Sequence, residues 1–275
     1  MSVAHILGFP RIGIHRELKA ALEAHWRGEL PEAQLHEQAA ELRRRHWRLQ
    51  RAAGMDLAAV GDFAFYDHVH NLTALLGTAP PRFYLRGPVD LAAYFAMARG
   101  TARQPALAMK KWFDTNYHYL VPEIGPDTRF ELNRDWLLPQ VKEALALAHP
   151  VKVVLPGPLT WLWLAAAPSG ADKLALLGPL LRVYCTLLEQ IGALGVDRVQ
   201  IDEPILVQDL PDAWLQAFPP VYGELCACGP KILLATYFGG VAGHAPMLSR
   251  LPIDGLHLDL VRAPAQLDAI LDVWP

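Results

Sequence analysis

The run Val196-Asp197-Arg198-Val199-Gln200-Ile201-Asp202-Glu203-Pro204 is apolar and β-branched until it stops abruptly in two carboxylates and a proline. A short apolar run bounded by turn residues fits a strand covered on both faces, as in a parallel sheet sandwiched by helices. The helical pattern ahead of it, Leu174 to Leu194, ends at Gly195, the left-handed stop that helix-to-strand connections favour. The pair is an αβ unit that delivers Asp202 and Glu203 to the C-terminal tip of a strand. In α/β barrels that tip is where chemistry sits.

The unit recurs. Strand candidates also lie at His5–Phe9, Leu57–Asp62, Ala106–Trp112, Val151–Leu155, Lys231–Phe238 and Gly255–Leu260. Helical patterns separate them, including His15–Trp26, Glu32–Ala53, Asp67–Leu76, Leu91–Arg99, Asp135–Ala148 and Pro211–Cys226, with Pro264–Val273 at the end. Polar residues close the strands: Asp62, Lys111, Asp114, Asp202, Glu203, Thr236 and Asp259. Such alternation predicts a parallel sheet with right-handed crossovers. The fold expected is a TIM-type (β/α)8 barrel in one domain over residues 1–275, truncated before its eighth strand, with bare edges on the first and seventh strands. In the Glu32–Ala53 helix, Leu35, Leu42 and Leu49 predict a core stripe.

Composition removes several classes of function. A net charge of −3 and a pI near 6.4 give no basic field for nucleic acid. Three cysteines are too few for a disulfide framework and point to a reducing compartment. The first residues lack the pattern of a signal peptide, and the longest apolar stretch, near Leu159–Ala167, is far short of a membrane span. The default expectation is a soluble cytoplasmic protein.

Individual residues allow competing readings. Arg16 and Lys19 near a helix start are either solvated or placed for an anion. Lys111 either pairs with Asp114 or a strand-end carboxylate, or faces a ligand. Asp202 and Glu203 invite general acid/base work, yet suit equally barrel-rim carboxylates tied to backbone amides or remnants of an ancestral active site; the structural role is the reading preferred here. Cys226-Ala227-Cys228 without a partner cluster is thin evidence for a metal. His68, His70, His118 and His257 are scattered, and Asp67-His68 reads as a helix cap. The polar and aromatic tail Phe113–Tyr119 has the mix that lines small-molecule sites.

Several stretches together resemble the N-terminal half of cobalamin-independent methionine synthase: Leu7-Gly8-Phe9-Pro10-Arg11-Ile12-Gly13, Arg16-Glu17-Leu18-Lys19, Val60-Gly61-Asp62-Phe63, Tyr66-Asp67-His68-Val69, Lys111 to Tyr119, Gln200-Ile201-Asp202-Glu203-Pro204, Thr236-Tyr237-Phe238 and Leu256-His257-Leu258-Asp259-Leu260. The matches run in order through nearly the whole chain. The resemblance implies two β/α barrels face to face and methyl transfer from 5-methyltetrahydrofolate polyglutamate to homocysteine. It implies a zinc site of His, two Cys and Glu in a C-terminal barrel absent here, so no metal is expected on this chain. It also implies that Arg16, Glu17, Leu18, Lys19 and Lys111 line the site of the polyglutamate folate. Convergent cations could hold successive tail carboxylates by charge-assisted hydrogen bonds. His15 stands where many relatives carry a basic residue, which lowers cation density at neutral pH. Two other readings compete: a non-catalytic folate-polyglutamate binding module, and a barrel lyase similar to uroporphyrinogen decarboxylase.

Overall fold

The computed structural model describes residues 3–85 and 87–274. In chain order the elements are α1 (Glu17–Trp26), α2 (Glu32–Ala52), β1 (Ala58–Val60), α3 (His68–Leu75), α4 (Leu91–Arg99), β2 (Met109–Lys111), β3 (His118–Leu120), α5 (Leu138–Leu145), β4 (Val151–Pro156), α6 (Pro158–Leu164), α7 (Leu177–Ala193), β5 (Arg198–Asp202), α8 (Asp212–Cys226), β6 (Lys231–Ala235), α9 (Ala245–Leu248), β7 (Gly255–His257) and α10 (Gln266–Leu271).

Five strands form one parallel sheet in the order β1-β4-β5-β6-β7. All six residues of β4 are buried, as a strand covered on both faces requires. Helix α7 lays Leu180, Leu181, Tyr184, Leu187, Leu188 and Ile191 into the main core. With the turn before it, Lys173–Ala193 is long and apolar enough to cross a membrane by length and composition, a stretch the sequence reading passed over. Burial of that stripe accounts for its apolarity. A second core joins Leu18 and Leu22 of α1, Leu35 and Leu42 of α2, and Tyr94 and Phe95 of α4 to Phe63 and Phe65.

Three expectations need correction. His5–Phe9 is not a ladder strand. Ala4 carbonyl accepts from the Asp56 and Leu57 amides, but beyond it side chains take over: Lys152 Nζ donates to Ile6 carbonyl at 2.7 Å and Gln200 Nε2 to Leu7 carbonyl at 3.1 Å. Once buried side chains satisfy those carbonyls, no ladder is needed. The segment Ala106–Trp112 does not enter the parallel sheet either. Only β2 is extended there, and it pairs antiparallel with β3, Lys111 opposite His118, because Phe113 takes a positive φ of 51° and the Thr115 amide closes a turn on Trp112 carbonyl. The sheet thus has five strands rather than seven, and its ladder is not closed among the described residues. Finally, Leu49 is 51% exposed. Seven-residue steps slip by roughly 20° per repeat on a straight helix, and Trp47 and Gln50 hold the core face by that turn.

Other expectations stand. Helix α2 stops at Gly54, with φ 83°, and the turn after α7 uses Gly195, with φ 88°. Asp67 caps α3 by accepting from the His70 amide at 2.8 Å.

Candidate functional site

The carboxyl ends of the parallel strands open on a cleft of about 490 Å³. Its position follows from the topology, since open parallel sheets leave their ligand crevice at that rim. Asp62 follows β1 by way of Gly61, whose φ of 97° and approach to Val154 carbonyl (a Cβ would sit 2.6 Å away) leave room for no other residue. Asp202 ends β5, Tyr237 follows β6 and Asp259 follows β7. From the other side come Leu7 to Arg11 and the aromatic residues Trp112 and Tyr117 of the β2–β3 hairpin. His68 meets Trp112 edge-on at 4.4 Å and stacks on Tyr117 at 5.5 Å.

The interior of this rim is electrostatically tense. Asp62 Oδ2 accepts from the Phe9 amide at 2.6 Å, and burial still pushes its pKa up to about 6. Asp202 accepts from Gln200 Nε2 at 2.7 Å and Tyr237 hydroxyl at 3.1 Å; burial raises it to about 7. Lys152, 1% exposed, is lowered to about 8 by burial, against the pull of Asp202 and Asp62. His68 is lowered to about 3, chiefly by burial and then by Arg11, so it is a neutral wall of the cleft at physiological pH. Arg11 donates to Tyr66 carbonyl and, at 3.0 Å, to Tyr117 hydroxyl, tying the loop before α1 to the hairpin.

Glu203 faces away from this cleft. It is fully buried and accepts from the Thr160 amide at 2.7 Å, Thr160 Oγ1 at 2.5 Å and the Leu159 amide at 3.3 Å, at the start of α6. This is the amide-tied role preferred from the sequence. Asp202, its neighbour, is the one turned toward the cleft.

The residues singled out for the folate tail fall in two places, neither of them this cleft. Arg16 is exposed in a left-handed conformation (φ 62°) just before α1. Glu17 accepts from the His15 amide at 2.9 Å and from Arg45 at 2.6 Å; its own backbone amide, then Arg45, lower its pKa to about 2. Leu18 is 1% exposed in the second core, and Lys19 makes an exposed pair with Glu23 at 3.5 Å. Lys111 lines a neighbouring pocket of about 460 Å³ with Trp163, Gln208 and Phe238. Asp114 pairs with Arg262 rather than with Lys111.

Arg11, His68 and Lys152 were not singled out as site residues from the sequence. Lys152 alone left a local signal, a lysine inside an otherwise apolar strand run. Among the described residues no group of three or more His, Cys, Asp or Glu could hold a metal ion. Cys228 Sγ donates to Glu224 carbonyl at 3.1 Å, and burial raises the Cys226 thiol to about 11, an ordinary structural state.

Residues 3–274 match the family described as cobalamin-independent synthase, N-terminal domain. The 5-methyltetrahydropteroyltriglutamate–homocysteine methyltransferase of Paraburkholderia xenovorans is 54% identical over 98% of this chain, and its counterpart in Burkholderia pseudomallei is 53% identical over all of it. The chain spans 36% and 37% of their lengths. A solved structure, the B12-independent methionine synthase of Shewanella sp. W3-18-1 with selenomethionine, superposes with a TM-score of 0.62 over 88% of this chain and 70% of that one. At 16% identity this is a likeness of fold alone. The chain belongs to the cobalamin-independent synthase family and corresponds to its N-terminal domain.

Proposed function

We propose that this chain is the folate-binding half of a methyltransferase that moves the methyl group of 5-methyltetrahydrofolate polyglutamate to homocysteine, in the cytoplasm and without cobalamin. The second half is a C-terminal barrel that carries zinc and homocysteine and docks over the rim described above. Zinc there would hold homocysteine as a thiolate. No step of that chemistry falls to residues of this chain. Their part is to bind the anionic tail and to close one side of the crevice. The parallel sheet is read as part of a (β/α)8 barrel left open, with Leu7–Arg11 and the β2–β3 hairpin occupying the places of missing ladder strands.

The match of residues 3–274 to the N-terminal family carries this reading. The geometry adds a physical reason. Arg11 joins the loop leading into α1, which carries Arg16, Glu17, Leu18 and Lys19, to the hairpin that carries Lys111. The reading takes the cations on those two elements to converge on one tail. Lys111 has no carboxylate within ion-pair distance among the described residues, and the Lys19 pair is solvent-exposed and weak. Both can turn to a multiply negative tail.

Calorimetric titration with tri- against monoglutamate folate tests this. The wild-type chain is expected to prefer the triglutamate, and Lys19→Ala with Lys111→Ala to lose about fivefold to thirtyfold of that preference, roughly 1–2 kcal/mol for two charge-assisted contacts. Indifference of the wild type to tail length would overturn the assignment.

A further inference from the structure

Two phenylalanines at the rim, Phe113 and Phe238, hold φ values of 51° and 79°. A bulky side chain rarely occupies that region, and the strain persists only where the surrounding structure imposes it. Phe113 is the first central residue of the turn that the Thr115 amide closes on Trp112 carbonyl, a position that glycine fills when its φ is positive. Phe238 is strained although two glycines follow it. The two rings pack on each other, with centroids 5.4 Å apart. Phe238 lines both the cleft of about 490 Å³ and the pocket of about 460 Å³ that holds Lys111, so it is the wall they share. Asp114, next to Phe113, pairs with Arg262, whose guanidinium lies 5.5 Å from the centre of the Phe238 ring. Asp259 fixes the far side by accepting from the Phe238 amide at 2.9 Å and the Arg262 amide at 3.0 Å.

The contacts that close this wall are weak. Both rings are half-buried, and the ion pair is open to solvent, where such pairs contribute little. Aromatic and cation–π contacts at that depth add modestly. Strain at two backbone positions works against them. Opposing terms of similar size leave two arrangements close in free energy. We propose that Phe113, Asp114, Phe238 and Arg262 form a latch between the β2–β3 hairpin and the loops after β6 and β7, and that its opening joins cleft and pocket into one groove. Closed, the shared wall holds each cavity to a ligand of its own size. Open, a ligand longer than either can run through. Release of strain at the two phenylalanines offsets the lost ring contact and ion pair, so opening needs no change in the parallel sheet.

Relaxation-dispersion NMR on the whole chain without ligand reads the latch directly. The amides of Phe113, Asp114, Phe238 and Arg262 are expected to share one microsecond-to-millisecond exchange process with a minor state of roughly 1–10%. Asp114→Asn, which keeps the shape and removes the charge, should raise that population about twofold to fivefold. Salt at about 1 M should do the same to the wild type and leave the variant unaltered. Flat profiles at the four residues, exchange that neither the substitution nor salt alters, or exchange shared by Lys110 and Tyr119 as a motion of the whole hairpin would each overturn the latch. Should the variant not fold, the salt series on the wild type decides alone. Since no folate is present, this result is independent of the titration that tests the tail site.

Discussion

Glu203 shows how much one side chain can hold. Its carboxylate takes three hydrogen bonds from Leu159 and Thr160 in a dry environment, so a glutamine, with one acceptor oxygen, must leave at least one buried donor unpaired. Glu203→Gln is expected to cost about 2 kcal/mol in urea denaturation. Burial raises this group from 4.5 to about 7. Between those values the folded protein retains a proton that the unfolded chain has released. The contribution of Glu203 to stability therefore falls as pH climbs from 4.5 to 7, by at most about 1.4 kcal/mol per pH unit, and Glu203→Gln should remove that component of the slope. In the sequence Asp202 and Glu203 are two adjacent acids of equal interest. Only the alternation of side chains along β5 and the chain's exit at Pro204 send one toward the cleft and the other to α6. Lys152 and Gln200 were legible as odd polar residues in apolar strands, but their partners, His5, Ile6 and Leu7, lie far off in the chain.

Between elements, two contacts of the hairpin differ in worth. Asp67 is buried, caps α3 through the His70 amide and accepts from the Leu120 amide of β3 at 2.9 Å. Asp67→Ala strands both donors and is expected to cost about 2–3 kcal/mol, a fall in Tm of roughly 4–12 °C for a chain of this size. The Asp114–Arg262 pair also reaches from the hairpin to the loop after β7, but its side chains are 58% and 44% exposed. Asp114→Ala should change stability by less than about 1 kcal/mol, and less still in high salt, as thermal melts at two ionic strengths would show. The cap was readable from Asp67-His68 alone. The hairpin was not: Ala106–Trp112 is an apolar run with a basic end, and nothing local says whether it pairs within a parallel sheet or folds back on His118–Leu120.

For the whole molecule, the proposal makes the chain one side of a shared crevice. Because that proposal assigns zinc and homocysteine to the other half, the purified chain is expected to form no methionine from 5-methyltetrahydrofolate triglutamate and homocysteine; measurable turnover would refute the division of labour. Local chemistry was enough to call most of the helices, the five strands of the parallel sheet and the acids at the tips of three of them, because apolar period, glycine stops and caps act within a few residues. Family membership was equally legible, since its motifs are strings of neighbours. Which extended segments pair, and which rim residues share a cleft, depend on contacts across 50 to nearly 200 residues, such as Asp62 with Phe9 and Gln200 with Leu7. Packing and buried hydrogen bonding settle those contacts, and no local pattern encodes them.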